Sequence, residues 1–132
     1  MDKLLRVLNL CQGQILHEIT FTVKRGEMLA IMGPSGSGKS TLLYNAAGMD
    51  QPTGGQVWLG NTEVTKLSEE EKASLRLHRI GFVFQQMNML ADLNLLDNIL
   101  LPARQAGKRI RRKEKERLNQ RAERLMEKLG IA

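Results

Sequence analysis

Between Ile19 and Val23 apolar and polar residues alternate, Ile19, Phe21 and Val23 against Thr20 and Thr22, the two-residue period of a strand with one buried face. With the apolar segment Leu4, Val7, Leu8 and Leu10, it predicts two strands flanking a Gln12-Gly13-Gln14 turn. Met28-Leu29-Ala30-Ile31-Met32 is continuously apolar, which predicts a strand buried on both faces, as in a parallel sheet. Leu42, Leu43, Ala46 and Ala47 then follow at helical spacing, and Gly48 is placed to end that helix. Gln51 to Gly55 form a turn cluster before two short strands, Gln56-Val57-Trp58-Leu59 and Glu63-Val64, around Gly60-Asn61.

In the second half, Ser68 with Glu71 three residues on is a capping-box signal for a helix running to about His78. Ile80-Gly81-Phe82-Val83-Phe84 predicts another buried strand. Asn94 can cap a helix through Leu95, Ile99 and Leu100, which Pro102 is expected to bend or stop. Leu118, Ala122, Leu125, Met126 and Leu129 fall on one face of a last helix, with Gly130 as its stop.

A hydrophobic fraction of 42% is enough for a core, and 26% charged residues is ordinary for a globular protein, so extensive disorder is not expected. No apolar run approaches the roughly 18 to 20 residues needed to cross a bilayer. The single cysteine, Cys11, excludes an internal disulfide and any multi-cysteine metal site, and fits a reducing cytosol. Arg6 and Asn9 interrupt the N-terminal apolar stretch, which is too short for a signal sequence. The net charge of +6 is unevenly placed: residues 1–107 carry ten basic and ten acidic side chains, so the excess lies wholly in Lys108 to Ala132. That basic segment has no aromatic residue to stack a base, so nucleic acid is not the expected partner. A solvated helical face interleaved with Glu114 and Glu116, or a surface beside anionic lipid, explains it instead.

The chemistry centres on Gly33-Pro34-Ser35-Gly36-Ser37-Gly38-Lys39-Ser40-Thr41, which matches G-x-x-x-x-G-K-[ST] between a predicted strand and a predicted helix. Average residue usage makes a chance match in such a chain roughly one in several hundred. Glycines allow successive backbone N–H groups to turn toward phosphate oxygens, and the helix N-terminus adds partial positive charge. Lys39 supplies a point charge for the β- and γ-phosphates, and the Ser40 hydroxyl is the expected Mg²⁺ ligand. The competing reading is a glycine turn that merely caps a helix. A guanine-specifying Asn-Lys-x-Asp segment is absent from the sequence.

Gly33 to Thr41, the turn Pro52-Thr-Gly-Gly-Gln-Val57 and Ile80-Gly-Phe-Val-Phe-Gln-Gln86, followed by Asn88-Met-Leu90, resemble the ATP-binding subunits of ABC transporters, most nearly the lipoprotein-release and macrolide-export type. The resemblance covers nearly the whole chain but only the N-terminal half of that family's ATPase domain. It implies an α/β fold, the P-loop NTPase core of an ABC ATPase with an N-terminal antiparallel β region, incomplete at its C-terminus. Residues 1–90 would form the N-terminal part of that core, and 91–132 the start of its helical subdomain. It further implies ATP and Mg²⁺ as ligands, a transmembrane permease as partner, a homodimer of ATP-binding subunits, and a peripheral place on the cytoplasmic face of the inner membrane. By the same resemblance Gln85 is the glutamine that touches the metal or attacking water, with Gln86 as the neighbouring alternative. Met87-Asn88-Met89-Leu90 and the Asn94 to Leu101 helix would receive a permease helix, or else their methionines belong to a core.

Two departures matter. The family's adenine-stacking aromatic would fall near Leu10 or Cys11, neither aromatic, which leaves apolar contact from one of them. No run of four apolar residues is followed by Asp-Glu, so the family's metal-positioning aspartate and catalytic glutamate are missing, and Asp92 and Asp97 lie in the wrong context. Gly54-Gly55-Gln56 is similar to the family's signature segment, but a strand pattern follows it, which predicts a turn. His17 and His78 do not resemble the switch histidine, which the family carries later. These absences imply Met28 to Met32 with an unpaired edge. They leave two functional expectations, an energy-coupling ATPase subunit or a nucleotide-binding module that does not turn over.

Overall fold

The computed structural model describes residues 3–86, 88–105 and 111–131. Met87 of the Met87-Asn88-Met89-Leu90 stretch and Lys108 at the start of the basic segment lie outside the described residues. The chain divides into two compact units, Met1–Ile80 and Gly81–Ala132.

The first unit is built around β1 (Lys3–Gln12), which has neighbours on both edges. It pairs antiparallel with β2 (Leu16–Lys24) across the predicted turn and with β3 (Gly54–Leu59) on its other side; β4 (Thr62–Glu63) pairs with β3, giving the order β2-β1-β3-β4. Val7 and Leu10 of β1 and Val57 of β3 are wholly buried. Leu42 of α1 (Lys39–Ala46) and Leu75 of α2 (Glu69–Arg79) pack into the same core, with Val64 from a 3-10 turn between β4 and α2.

Local chemistry sets the helix ends. Ser68 and Glu71 form the predicted capping box, the Glu71 N–H donating to Ser68 Oγ at 3.2 Å and the Ser68 N–H to Glu71 Oε1 at 3.3 Å. Beyond α1, Gly48 takes φ 76°, and the Met49 N–H reaches the Tyr44 carbonyl at 2.8 Å, a glycine-terminated helix end. Arg76 donates to the Gly48 carbonyl at 2.8 Å, which ties α2 to the negative end of α1. Lys72 is buried beside it, donating to Gln51 Oε1 at 2.6 Å, with the Glu69 carboxylate 3.7 Å away.

Several expectations are corrected. Met28 to Met32 is not a strand: it enters no ladder, Met28 is 96% and Met32 89% exposed, and only Ile31 packs on the core. Ile80 to Phe84 is not a strand either; Ile80 packs on the first unit's core while Val83 is 96% exposed. An apolar run becomes a two-sided buried strand only when neighbours supply ladder partners and covering faces, and among the described residues neither segment has them. Gly54 and Gly55 are strand rather than turn: they open β3, with Gly54 opposite Cys11. A Cβ on Gly55, at φ 89°, would run into the Asn9 carbonyl, so the pairing requires glycine there.

In the second unit, α3 (Leu95–Gln105) and α4 (Arg112–Lys128) pack on each other, with Leu100 and Ala122 buried. Asn94 caps α3, its Oδ1 accepting from the Asp97 N–H at 2.8 Å. Pro102 lies inside α3 and does not stop it, although it cannot donate a helical hydrogen bond and its ring crowds the carbonyl four residues earlier. Of the predicted α4 stripe, Leu129 is 73% exposed, so it lies at the surface.

Because Ser68 satisfies a first-turn N–H of α2, Ser68→Ala is expected to lower the unfolding free energy by about 1 kcal/mol. Urea denaturation followed by far-ultraviolet circular dichroism measures it; an unchanged midpoint would show that the cap carries no stability.

Candidate functional site

The phosphate loop lies in the first unit, leaving Gly33 and entering α1 at Lys39. Its first half is a tight turn: the Ser37 N–H donates to the Pro34 carbonyl at 3.2 Å, and Gly36 has φ 81°, the sign required at the third position of a type II turn with Ser35 before it. The loop then curls back, so that a Cβ on Gly33 would lie 2.8 Å from Ser37 Oγ. The Lys39 amine donates to the Gly33 carbonyl, which folds its side chain over the loop.

Gly38 joins this loop to the sheet. It has φ 96°, and a Cβ there would lie 2.8 Å from Ile15 Cγ2 and 3.2 Å from Leu16 Cδ2. Glycine is needed twice over, for the left-handed backbone and for the contact with the β1–β2 hairpin. As N-cap it offers no side chain to the N–H groups of Lys39, Ser40 and Thr41, which have no intrahelical acceptors. Three donors therefore converge at the positive end of α1, next to an ammonium group and the Ser40 hydroxyl. Chemically this is a cradle for phosphate oxygens, and Ser40 can offer an oxygen to a hard cation. Among the described residues no cluster of three histidine, cysteine or acidic side chains could hold a metal unaided.

A second tie holds the loop on the sheet. Asn45 of α1 is buried, its Nδ2 donating to Gln12 Oε1 at the end of β1 and to the Thr41 carbonyl at 2.9 Å. This residue was not legible as functional, because an isolated asparagine in a helix gives no signal of burial.

The expected apolar contact for a base is partly corrected. Leu10 is wholly buried in the core and cannot reach a ligand. Cys11 is half-buried, its Sγ accepting from the Glu18 N–H at 3.4 Å. Ile15, 53% exposed and beside Gly38, is the apolar surface that adjoins the cradle. Its signal was available in sequence as an apolar residue directly after a polar turn.

Gln85 and Gln86 lie in the other unit, in an exposed bend. There the segment after them is held by Asn98 of α3: its Oδ1 accepts from the Leu90 N–H at 2.8 Å, and its Nδ2 donates to the carbonyls of Leu90, Leu93 and Asn94 at 3.1, 3.1 and 2.9 Å. Met89 and Leu90 stay about half exposed at 44% and 51%.

The ABC transporter family model matches residues 16–132, which include the whole cradle. The chain belongs to the ABC transporter family. Among relatives of this ABC transporter chain, the macrolide export ATP-binding/permease protein MacB of Bartonella henselae is 43% identical over 119 residues, 89% of this chain and 17% of that protein. The lipoprotein-releasing system ATP-binding protein LolD of Coxiella burnetii is 43% identical over 88 residues, 67% of this chain and 38% of that protein. Two solved structures of the ATP-binding cassette MJ0796 superpose with TM-scores of 0.83 and 0.84 at 33% identity, one described as a dimeric post-hydrolysis state bound to ADP and Pi. Each covers 93% of this chain, which spans 56% of the cassette. The fold is thus that of an ABC ATPase cassette over its antiparallel sheet and helices. No helix among the described residues is long and apolar enough to cross a membrane.

The two inner glycines of the loop should differ. Gly38→Ala combines the left-handed penalty with a clash and is expected to cost about 2 to 3 kcal/mol. Gly36→Ala meets no atom within 4 Å and should cost only about 1 to 2 kcal/mol. Equal losses in urea denaturation would refute the hairpin contact at Gly38.

Proposed function

We propose that this chain binds ATP as part of an ABC transporter ATP-binding subunit that couples ATP binding and hydrolysis to substrate movement by a membrane permease. The observation that carries this reading is the cradle: left-handed glycines at 36 and 38, uncapped donors at the start of α1, and Lys39 folded across the loop. Gly33 to Gly38 would wrap the phosphates with backbone N–H groups, and Lys39 would pair with the β- and γ-phosphates. Thr41 would add a donor from the first turn, and Ile15 would give the base an apolar contact. Ser40 and Gln85 would hold Mg²⁺, which neutralises charge on the phosphate oxygens when bound. Lys39 and Gln85 are the proposed catalytic side chains.

The names of the relatives support a permease partner, and the dimeric cassette supports pairing of two subunits. The same reading puts the chain on the cytoplasmic face of the inner membrane. The Asn98-braced segment with exposed Met89 and Leu90 suits an adaptable docking surface for a permease helix. Macrolide export and lipoprotein release are both compatible with it. For residues 1–132 taken by themselves, a second reading has its own observation. The sequence contains no apolar run followed by Asp-Glu, and among the described residues Met28 to Met32 enters no strand pairing. This polypeptide by itself would then bind nucleotide without turning it over.

Titration with ATP·Mg²⁺ by calorimetry should give saturable binding that Lys39→Ala weakens at least tenfold, about 1.4 kcal/mol. Binding that Lys39→Ala leaves intact would remove the cradle as the site. Phosphate release by the 132-residue chain should be indistinguishable from that of Lys39→Ala; turnover that Lys39→Ala abolishes would show the chain to be a competent ATPase. Ile15→Ser should weaken ATP more than inorganic triphosphate, and an equal effect on both would exclude a base contact.

A further inference from the structure

In the second unit, α4 is covered on one side only. Ala122 is buried and Leu118 and Met126 are half-buried where α4 packs on α3. Lys113, Arg117, Arg121, Arg124 and Lys128 stand at positions i, i+4, i+8, i+11 and i+15 of the same helix. At 3.6 residues per turn, that spacing gathers all five into a strip about 80° wide, turned away from Ala122. All five are exposed, and among the described residues none of them forms an ion pair.

The acids of α4 are largely kept off this strip. Glu116, Glu123 and Glu127 fall together on one flank, where Glu116 lies 4.0 Å from Arg112, and Glu114 in the first turn is the one acid on the other side of the cations. On that other side, further along the helix, Leu125 and Leu129 are exposed. The +6 charge excess of the whole chain lies in the segment that holds this helix. Like charges three and four residues apart destabilise a helix, so the arrangement favours a surface that brings negative charge along its length.

We infer that this strip lies against an anionic lipid bilayer, with the axis of α4 parallel to the membrane plane. Five cations in a line about 22 Å long meet a plane of phosphates along their whole length. A cluster of this size on an amphipathic helix matches the negative potential of phospholipid headgroups. Arg117, Arg121 and Arg124 supply forked donors that take phosphate oxygens in pairs. Leu125 and Leu129, alongside, are placed to enter the boundary between headgroups and acyl chains. The helix has no aromatic residue on which a base could stack, which disfavours single-stranded nucleic acid as the occupant. The contact belongs to the second unit alone, so it does not require the nucleotide cradle.

The 132-residue chain is sedimented with phosphatidylcholine vesicles that contain or lack phosphatidylglycerol. Binding is expected only where the anionic lipid is present, and it should weaken as salt is raised. Arg117→Gln/Arg121→Gln/Arg124→Gln should weaken it at least tenfold; the three positions are exposed and glutamine forms helix about as well as arginine, so circular dichroism should stay unchanged. Lys3→Gln/Lys24→Gln/Lys66→Gln removes the same charge from the first unit and should change it less than twofold. Leu125→Ser/Leu129→Ser should weaken binding severalfold while its salt dependence remains. Equal losses in the two three-charge variants would reduce the contact to bulk charge and overturn the strip. Equal binding to both kinds of vesicle, or tighter binding to duplex DNA or an acidic peptide than to the anionic vesicles, would overturn the bilayer as its occupant.

Discussion

The approach of α1 to the β1–β2 hairpin is the constraint on which the cradle from Gly33 to Thr41 depends. A helix N-terminus attracts phosphate only in the direction its free N–H groups point, and that direction is set here by what the helix leans on. Gly38 leans on Ile15 and Leu16 at a separation no side chain could share. Asn45 repeats the attachment about two turns further on, through Gln12. Among the described residues Asn45 Oδ1 has no hydrogen-bond partner.

The same sheet organises charge. Its central strand β1 carries the hairpin turn beside the cradle at one end and Lys3 and Arg6 at the other. In the cradle a single ammonium group cooperates with backbone dipoles. In the second unit, Arg112 of α4 reaches Glu116 only at 4.0 Å on an exposed surface, an arrangement that contributes little to stability.

Elements specified by their own neighbours in sequence were legible: the turn of the β1–β2 hairpin, the Ser68 capping box, the Gly48 and Gly130 helix stops and the turn from Pro34 to Ser37 all depend on contacts within a few residues. Met28 to Met32 and Ile80 to Phe84 were misread because an apolar run states only that a segment can be buried, while burial requires partners elsewhere in the chain. Pro102 was expected to bend or stop the helix, and α3 continues past it.

The order and types of residues from Gly33 to Thr41, through glycine's freedom at positive φ and the charge of one lysine, determined the cradle on which the proposed nucleotide site rests. Which apolar group adjoins it was decided by packing: Leu10 went into the core and Ile15 to the surface, since strand register sets which face each residue takes. The clustering of Lys3, Arg6, Arg25 and Arg79 had no trace in a charge balance of zero over residues 1–107. Side chains as many as 76 positions apart meet there, because sheet pairing and the end of α2 bring them together, and a linear count of charge carries no information about distance in space.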